Sequence, residues 1–121
     1  DSRFAYQYEL PGSFAPIADF SLLEQAVSEA RALGTRFKVG NVVSSDIFYN
    51  VYPEAAKKWA GMGVLCVEME AAALYMNAAK LHKKALAILS ISDHILKGTE
   101  LSPEERQTGF SEMMEIALKL A

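Results

Sequence analysis

Apolar and polar positions alternate along the chain in a pattern that predicts helices and strands in turn. Two nearly continuous apolar runs, residues 64–67 and 85–91, are typical of strands that are buried on both faces. Apolar residues recur at helical spacing in residues 21–33, 70–81 and 103–121. Because strand and helix signals follow one another, the pattern predicts an α/β fold with a mixed, largely buried central β-sheet flanked by helices.

Shorter signals add two strands and the starts of two helices. Residues 4–8 alternate and are expected to form a short strand, and residues 37–44 predict a longer one. Pro53 suits the first position of a short helix. The last helix carries a capping-box signature, in which Ser102 and Glu105 would each bond the backbone N–H of the other.

The composition describes an ordinary soluble globular chain with a cytoplasmic location as the default. Its 121 residues suit one domain with a modest core, and no repeat or linker divides them. The net charge of −3 without a basic block does not indicate a nucleic acid or a membrane as partner. With one cysteine and two histidines, no metal-ligand cluster is expected, and Cys66, in an apolar strand, is expected to be inert.

Two carboxylates lie in an otherwise apolar stretch, at the predicted junction of a strand with a helix. They belong to Glu68 and Glu70, separated by Met69. Open α/β sheets usually place their ligand site at such junctions, and a carboxylate in apolar surroundings needs donors, a cation or a hydroxyl-rich ligand. The alternative is that one or both only favour the positive end of the following helix. The local pattern leaves both possibilities open.

A second polar group follows the other apolar run and comprises Ser92, Asp93 and His94. Arg106 comes near the start of the last helix, where its spacing from Phe110 of the apolar stripe predicts an inward direction. An inward arginine calls for an anionic partner, and Asp93 is the nearest by topology. Alternatively, Asp93 is a turn residue and Arg106 lies over the core. The joint occurrence with the glutamate pair favours a functional site.

The sequence closely resembles the bacterial-type, hexameric purine nucleoside phosphorylases of the nucleoside phosphorylase family. The resemblance rests on GVLCVEMEAAALY, ILSISDHI and EERQTGF, with FAPIADF and VGNVVSSDIFY upstream. It covers the chain from about Phe14 to its end. It implies that residues 1–121 form the C-terminal part of a single nucleoside phosphorylase domain whose N-terminal, phosphate-binding part is absent.

The resemblance implies phosphorolysis of the N-glycosidic bond of purine (deoxy)ribonucleosides, which yields the free base and (deoxy)ribose-1-phosphate. Asp93 would be the general acid toward the departing purine, with Arg106 pairing with it when the ligand closes the site. Glu70 would accept hydrogen bonds from the ribose hydroxyls, and Met69 would pack beneath the sugar. Phe48 would stack on the purine.

Further roles and partners follow from the same resemblance. Val67 would provide an apolar wall, Glu68 would line the pocket, Ser92 would orient the base or the acid, and His94 is expected to be structural. Phosphate would be a co-substrate, with no cofactor and no metal. The resemblance also implies a homo-oligomer, a hexamer in the full-length protein. Because the phosphate contacts would lie upstream, the isolated chain is expected to be inactive.

Three other functions fit parts of the pattern. A nucleosidase of the same superfamily, which uses water, shares VEMEA and the Ser-Asp pair, but Phe48 and the surroundings of Arg106 fit the phosphorylase better. A uridine phosphorylase shares the Glu-Met-Glu element, yet recognises its base with an amide and a guanidinium where this chain has Ser92 and Asp93. The third is a non-catalytic module that acts only in assembly.

Overall fold

Residues 2–48, 52, 54–105 and 110–120 are described by the structure, a computed structural model. Helices and short strands alternate along this part of the chain. In chain order the elements are a 3-10 helix at Phe4–Tyr8, α1 at Phe20–Ala32, β1 at Val42–Ser44, α2 at Ala55–Gly61, β2 at Cys66–Glu68, α3 at Ala71–Lys80, β3 at Asp93–His94, β4 at Thr99–Glu100 and α4 at Ser111–Leu118.

The described strands form two small sheets. In the first, β1 and β2 run parallel with Ser44 opposite Glu68, and α2 provides the crossover between them. In the second, β3 and β4 form an antiparallel hairpin in which Asp93 lies opposite Glu100. The mixed α/β class predicted from the sequence is confirmed. Among the described residues, the β structure consists of these two short strand pairs.

The chain divides into two compact units, of which the first comprises Asp1–Asp19 and Val39–Ala87. It contains β1, α2, β2 and α3. The 3-10 helix packs against α3, where the hydroxyl of Tyr8 donates a hydrogen bond to Oδ1 of Asn77 at 2.7 Å. The buried apolar side chains described in this unit are Val43, Ala71 and Met76.

The second unit comprises Phe20–Lys38 and Ile88–Ala121. Here α1 packs against α4, and the helices are also joined at their ends by Nζ of Lys119, which lies 3.3 Å from Oε2 of Glu29. This hydrogen-bonded ion pair raises the pKa of Lys119. The buried apolar side chains described in this unit are Ala26, Ala30 and Ile116.

Two of the three helices predicted from periodicity are present with small shifts: α1 at Phe20–Ala32 covers nearly all of the predicted segment 21–33, and α3 covers its predicted helix as far as Lys80. The last helix, predicted for residues 103–121, is described as α4 at Ser111–Leu118 and as one helical turn at residues 103–105, while residues 106–109 lie outside the described part of the chain. The capping box also forms: the N–H of Ser102 donates to Oε2 of Glu105 at 2.8 Å, and the N–H of Glu105 donates to Oγ of Ser102 at 3.1 Å. These features depend on residues a few positions apart in the chain, so the local sequence is enough to predict them.

The apolar run at residues 85–91 does not form the predicted strand. The backbone N–H of Asp19 donates to the carbonyl of Ala85 at 2.9 Å, and the N–H of Ala87 donates to the hydroxyl of Tyr75 at 3.0 Å. These contacts come from a loop and a side chain. A strand requires a neighbouring strand for its backbone groups, whereas an apolar composition indicates only a tendency to be buried.

Two shorter strand predictions are also wrong in part. Residues 4–8 form a 3-10 helix, in which the rings of Phe4 and Tyr8 meet edge to face with centroids 6.0 Å apart. In an extended strand, residues four positions apart would lie about 13 Å apart, so the rings can meet only where the chain turns. The strand predicted for residues 37–44 is limited to Val42–Ser44, the residues that lie opposite β2.

Candidate active site

The candidate site begins at the corner where β2 ends and α3 begins. Glu68 is the last residue of β2, Met69 and Glu70 form the corner, and Ala71 opens the helix. Because β1 and β2 are parallel, their carboxyl ends meet at one edge and bring Ser44 beside Glu68. The prediction that the two carboxylates lie at a strand-to-helix junction is confirmed.

The carboxylate of Glu68 is occupied by hydrogen bonds within the corner. Its Oε2 accepts from the backbone N–H of Glu70 at 2.7 Å and from that of Ala71 at 2.5 Å. Its Oε1 accepts from the hydroxyl of Ser44. The first N–H groups of a helix have no partner inside it and carry partial positive charge. Glu68 therefore caps α3, which is the alternative that the sequence left open for this pair.

The carboxylate of Glu70 has a different environment. The residue is exposed and occupies the N-cap position of α3, but its side chain makes no capping hydrogen bond there. Its Oε2 accepts from the backbone N–H of Met69 at 3.3 Å, a long and therefore weak contact. Glu70 is thus the member of the pair whose oxygens are accessible to an outside ligand, while Glu68 holds the backbone beneath it.

Ser44 is a part of this corner that the sequence analysis missed. Its side chain is only 9% exposed, and its Oγ donates to Glu68 and accepts from the N–H of Ala72 at 2.9 Å. The backbone N–H of Ser45 adds a bond to the carbonyl of Glu68 at 2.9 Å. The sequence offered only a weak signal, a hydroxyl at the end of the strand predicted for residues 37–44, and the parallel register with β2 is what brings it opposite Glu68.

The predicted purine-contacting residue lies on the loop after β1. Phe48 is 76% exposed, and the turn before it is closed by Ser45, whose Oγ accepts from the N–H of Ile47 at 3.3 Å. Asp46 accepts a 2.7 Å hydrogen bond from the N–H of Arg3. That bond, with one from the Ser2 hydroxyl, holds the pKa of Asp46 below its usual value. The part of the loop that precedes the aromatic ring is therefore held by the Ser45 turn and by the contact of Asp46 with Arg3.

The predicted general acid lies in the second unit, on the β3–β4 hairpin. The hydroxyl of Ser92 donates to Oδ2 of Asp93 at 2.7 Å, and the carbonyl of Ser92 accepts from the N–H of Leu101 at 2.9 Å. Gly98 turns the hairpin with φ of 63°, in the left-handed region that glycine adopts without strain. The hydrogen bond joins two adjacent residues, and the role of Ser92 in orienting the acid or the base stays a prediction.

Arg106 lies outside the described residues, so its pairing with Asp93 stays a prediction. The capping box of Ser102 and Glu105 ends immediately before it. The structure therefore gathers the predicted residues in two groups: Met69, Glu68 and Glu70 at one corner, and Ser92 with Asp93 on the hairpin.

Comparison with known families identifies the fold to which these two groups belong. Residues 2–121 match the family model described as the phosphorylase superfamily. The chain belongs to that superfamily. A relative in Vibrio parahaemolyticus, named purine nucleoside phosphorylase DeoD-type 2, is 54% identical over 108 residues. DeoD-type purine nucleoside phosphorylases of Geobacillus sp. (strain WCH70) and Clostridium novyi are 52% and 51% identical.

The superfamily relatives are much longer than the part that this chain matches. The 108 matched residues are 89% of the chain and 46% of the Vibrio parahaemolyticus relative. The chain therefore spans about half the length of the curated relatives it matches. No helix within the described ranges combines the length and apolar character that crossing a membrane requires.

The phosphorylase-superfamily chain also contains a cavity of about 330 Å³ in its first unit. Its lining is mainly apolar and aromatic, and it includes none of the predicted site residues. The corner residues Ser44, Ala71 and Ala72 also line this cavity, whereas the exposed carboxylate of Glu70, a partner for sugar hydroxyls, is not part of its lining. We therefore place the candidate site at the corner. The principal lining side chains of the cavity are Phe4, Phe14, Trp59, Tyr75 and Met76.

Cys66, next to the corner on β2, has a raised thiol pKa, which is the direction expected of an unreactive cysteine. Partial burial raises the pKa of its thiol, and the nearby charge of Glu68 raises it further. A thiol with a raised pKa remains protonated at neutral pH, and the protonated form is a poor nucleophile. Cys66 therefore takes no part in the chemistry considered for this site.

Proposed function

We propose that this chain supplies the base and ribose contacts of a purine nucleoside phosphorylase. The observation that carries the proposal is the division of labour between the two glutamates: Glu68 is occupied in capping α3, while Glu70 presents an exposed carboxylate at the carboxyl end of a parallel strand pair. The names of the relatives, all purine nucleoside phosphorylases, support the same function.

Sugar recognition is assigned to Glu70. A ribose has neighbouring hydroxyl donors, and a carboxylate can accept from two of them at once. A hydrogen bond to a charged acceptor contributes about 1.5–3 kcal/mol, so Glu70→Ala should lower kcat/KM on the order of tenfold to a hundredfold. Met69, half-exposed beside it, would pack beneath the sugar ring.

Base recognition is assigned to Phe48 and Val67. Both side chains are largely exposed in the first unit, on the loop after β1 and on β2 respectively. A flat aromatic ring stacks on purines of either kind, with or without an amino group, because stacking requires only a π face. The pair would therefore hold the base without choosing between adenosine and inosine.

Proton transfer to the leaving base is assigned to Asp93. As the bond between C1′ and the purine nitrogen breaks, its electron pair moves into the base, and the carboxyl proton of Asp93 would go to the five-membered ring. An oxygen of phosphate forms the new bond to C1′. Burial beneath a bound purine would favour the protonated carboxyl, and the Ser92 hydroxyl would orient it. Arg106 would assist once the site has closed.

This chain is not proposed to bind phosphate or to assemble on its own. Phosphate would act as the co-substrate without a cofactor or metal, bound by the part of the domain that the relatives possess and this chain does not match. Residues 1–121 would form the C-terminal part of that domain, the complete protein would assemble as a homo-hexamer, and the 121-residue chain alone would be inactive.

The test uses this chain joined to the part of the Vibrio parahaemolyticus relative that it does not match, hereafter the joined protein. Adenosine and inosine are supplied with and without phosphate, and the free base and ribose-1-phosphate are measured. We expect base release that requires phosphate, while the 121-residue chain alone releases none. Asp93→Asn, which keeps the size of the side chain but has no acidic proton, should lose most of this turnover.

Two results would contradict the proposal. Base release that proceeds equally without phosphate would make the protein a nucleosidase of the same superfamily. A folded joined protein that releases no base from either nucleoside would leave an assembly module as the remaining function. In that case the 121-residue chain would be tested for binding to the unmatched part of the relative, and binding would support the role in assembly.

A further inference from the structure

The hydroxyl of Ser44 connects three secondary-structure elements at the candidate site. Ser44 ends β1, its Oγ donates to Oε1 of Glu68 at the end of β2, and it accepts from the N–H of Ala72 in α3 at 2.9 Å. The side chain is 9% exposed, so water cannot readily replace either partner. A single buried hydroxyl thus ties both strands to the helix.

Three consecutive backbone N–H groups at the start of α3 depend on this connection. Those of Glu70 and Ala71 are held by Oε2 of Glu68, and that of Ala72 is held by Ser44. The Glu70 side chain contributes no capping bond of its own. The direction in which Glu70 projects is therefore set by a network whose side chains belong to Ser44 and Glu68.

We propose that Ser44 is a positioning residue for sugar recognition. By holding the Glu68 carboxylate against the first turn of α3, it fixes the backbone of Glu70 and so the place of the carboxylate that meets the sugar hydroxyls. The inference rests on the proposed function of Glu70. It assigns to Ser44 no direct contact with substrate and no part in the proton transfer.

The physical reason lies in what remains when the hydroxyl is removed. Without it, Oε1 of Glu68 loses its donor and the N–H of Ala72 loses its acceptor, both in a half-buried position. A carboxylate that has lost a donor turns toward solvent to regain hydration. That rotation would release the N–H groups of Glu70 and Ala71, and the corner would sample other conformations.

The experiment compares Ser44→Ala with Ser45→Ala in the joined protein. The two serines are adjacent and similarly buried, at 9% and 6% exposure, but within the described part of the chain the Ser45 hydroxyl bonds inside its own turn, to Ile47. The substrates are adenosine and 2′,3′-dideoxyadenosine, which lacks the 2′ and 3′ hydroxyls but keeps the 5′ hydroxyl. A residue that acts through Glu70 affects the first substrate alone, whereas a general loss of structure affects both.

We expect Ser44→Ala to lower kcat/KM for adenosine about tenfold, mainly through KM, which corresponds to about 1.4 kcal/mol. The value for the dideoxy substrate should change less than about twofold. Ser45→Ala should leave the ratio of the two substrates unchanged even if it weakens both. If Ser44→Ala does not fold, Ser44→Cys serves in its place, because its thiol fills the space with a much weaker donor.

Equal losses for the two substrates, or no loss for adenosine, would overturn the role of Ser44 while leaving the proposed function standing. A joined protein without activity on any nucleoside would instead overturn the proposed function, and this inference with it. Hydrogen exchange of the Ala72 amide in the 121-residue chain adds an independent measure: unchanged protection in Ser44→Ala would also refute the positioning role.

Discussion

Replacing Glu68 and Glu70 separately by alanine should separate stability from activity. The two residues are identical in type and two positions apart, yet Glu68 accepts three hydrogen bonds within the corner. Glu70 accepts one, at 3.3 Å, from its neighbour Met69. We expect Glu68→Ala to unfold more easily than the wild-type chain, and Glu70→Ala to keep its stability while losing sugar recognition.

The magnitude follows from the bonds that each carboxylate makes. Loss of a helix-capping side chain costs about 0.5–2 kcal/mol, and hydrogen bonds to charged groups contribute about 1.5–3 kcal/mol each when their partners are left unsatisfied. Glu68 is only half-buried, so solvent recovers part of this loss. We expect Glu68→Ala to lower the free energy of unfolding by about 2 kcal/mol, and Glu70→Ala to change it by less than about 0.5 kcal/mol.

The assay is urea unfolding of the 121-residue chain, followed by the helical circular dichroism signal. With a urea dependence of about 2 kcal/mol per molar, Glu68→Ala should shift the midpoint down by about 1 M. Glu68→Gln is the matched control, because its amide oxygen still accepts hydrogen bonds without the charge that favours the helix N-terminus. Its midpoint should fall between those of Glu68→Ala and the wild type.

Two outcomes would refute this reasoning. If Glu70→Ala lowered the midpoint as much as Glu68→Ala, the corner would depend on both carboxylates and the division of labour would be absent. If Glu68→Ala left the midpoint unchanged, its three hydrogen bonds would contribute nothing to stability. In either case Glu70 would lose its distinction as the carboxylate available for a sugar.

Three further predictions concern the thiol, the hairpin and the arginine. Cys66 should react with iodoacetamide at pH 8 more slowly than free cysteine, because its raised pKa leaves less thiolate. Glu68→Gln should speed the reaction, and an equal rate in the variant and the wild type would contradict the contribution of the Glu68 charge to the pKa of Cys66. Gly98→Ala should lower the free energy of unfolding by about 1 kcal/mol, since φ of 63° is strained for alanine, and an unchanged urea midpoint would show that the turn relaxes. Arg106→Ala in the joined protein should reduce turnover of adenosine and inosine without abolishing binding, and unchanged turnover would refute its assistance to Asp93.

The parts of the site that could be predicted from sequence are those built from near neighbours. The capping box of Ser102 and Glu105 spans four residues, and the strand-to-helix corner at Glu68 and Glu70 is visible in the change from an apolar run to helical spacing. The resemblance to the phosphorylases was equally local in origin, because it rested on short motifs. The family match to residues 2–121 confirmed it.

The failed predictions have different causes. Residues 85–91 were expected to be a strand because they are apolar, but a strand exists only where another strand accepts its backbone groups, and a local pattern carries no information about such a partner. Residues 4–8 became a 3-10 helix that has both a local contact, between the rings of Phe4 and Tyr8, and a distant one, the bond from Tyr8 to Asn77 of α3. The alternation of these residues predicted a strand, and only the distant contact was beyond a local pattern.

Sequence was sufficient to identify the α/β class and the two glutamates at a strand end, since these follow from residue type and spacing, and it indicated the family through the resemblance of its motifs. Tertiary structure decided which glutamate became a cap and which remained open, because that choice depends on Ser44, 24 residues before Glu68 and brought beside it only by the pairing of β1 with β2. A carboxylate binds whichever donors the fold brings within reach, and the donors near Glu68 came from another strand and the start of a helix.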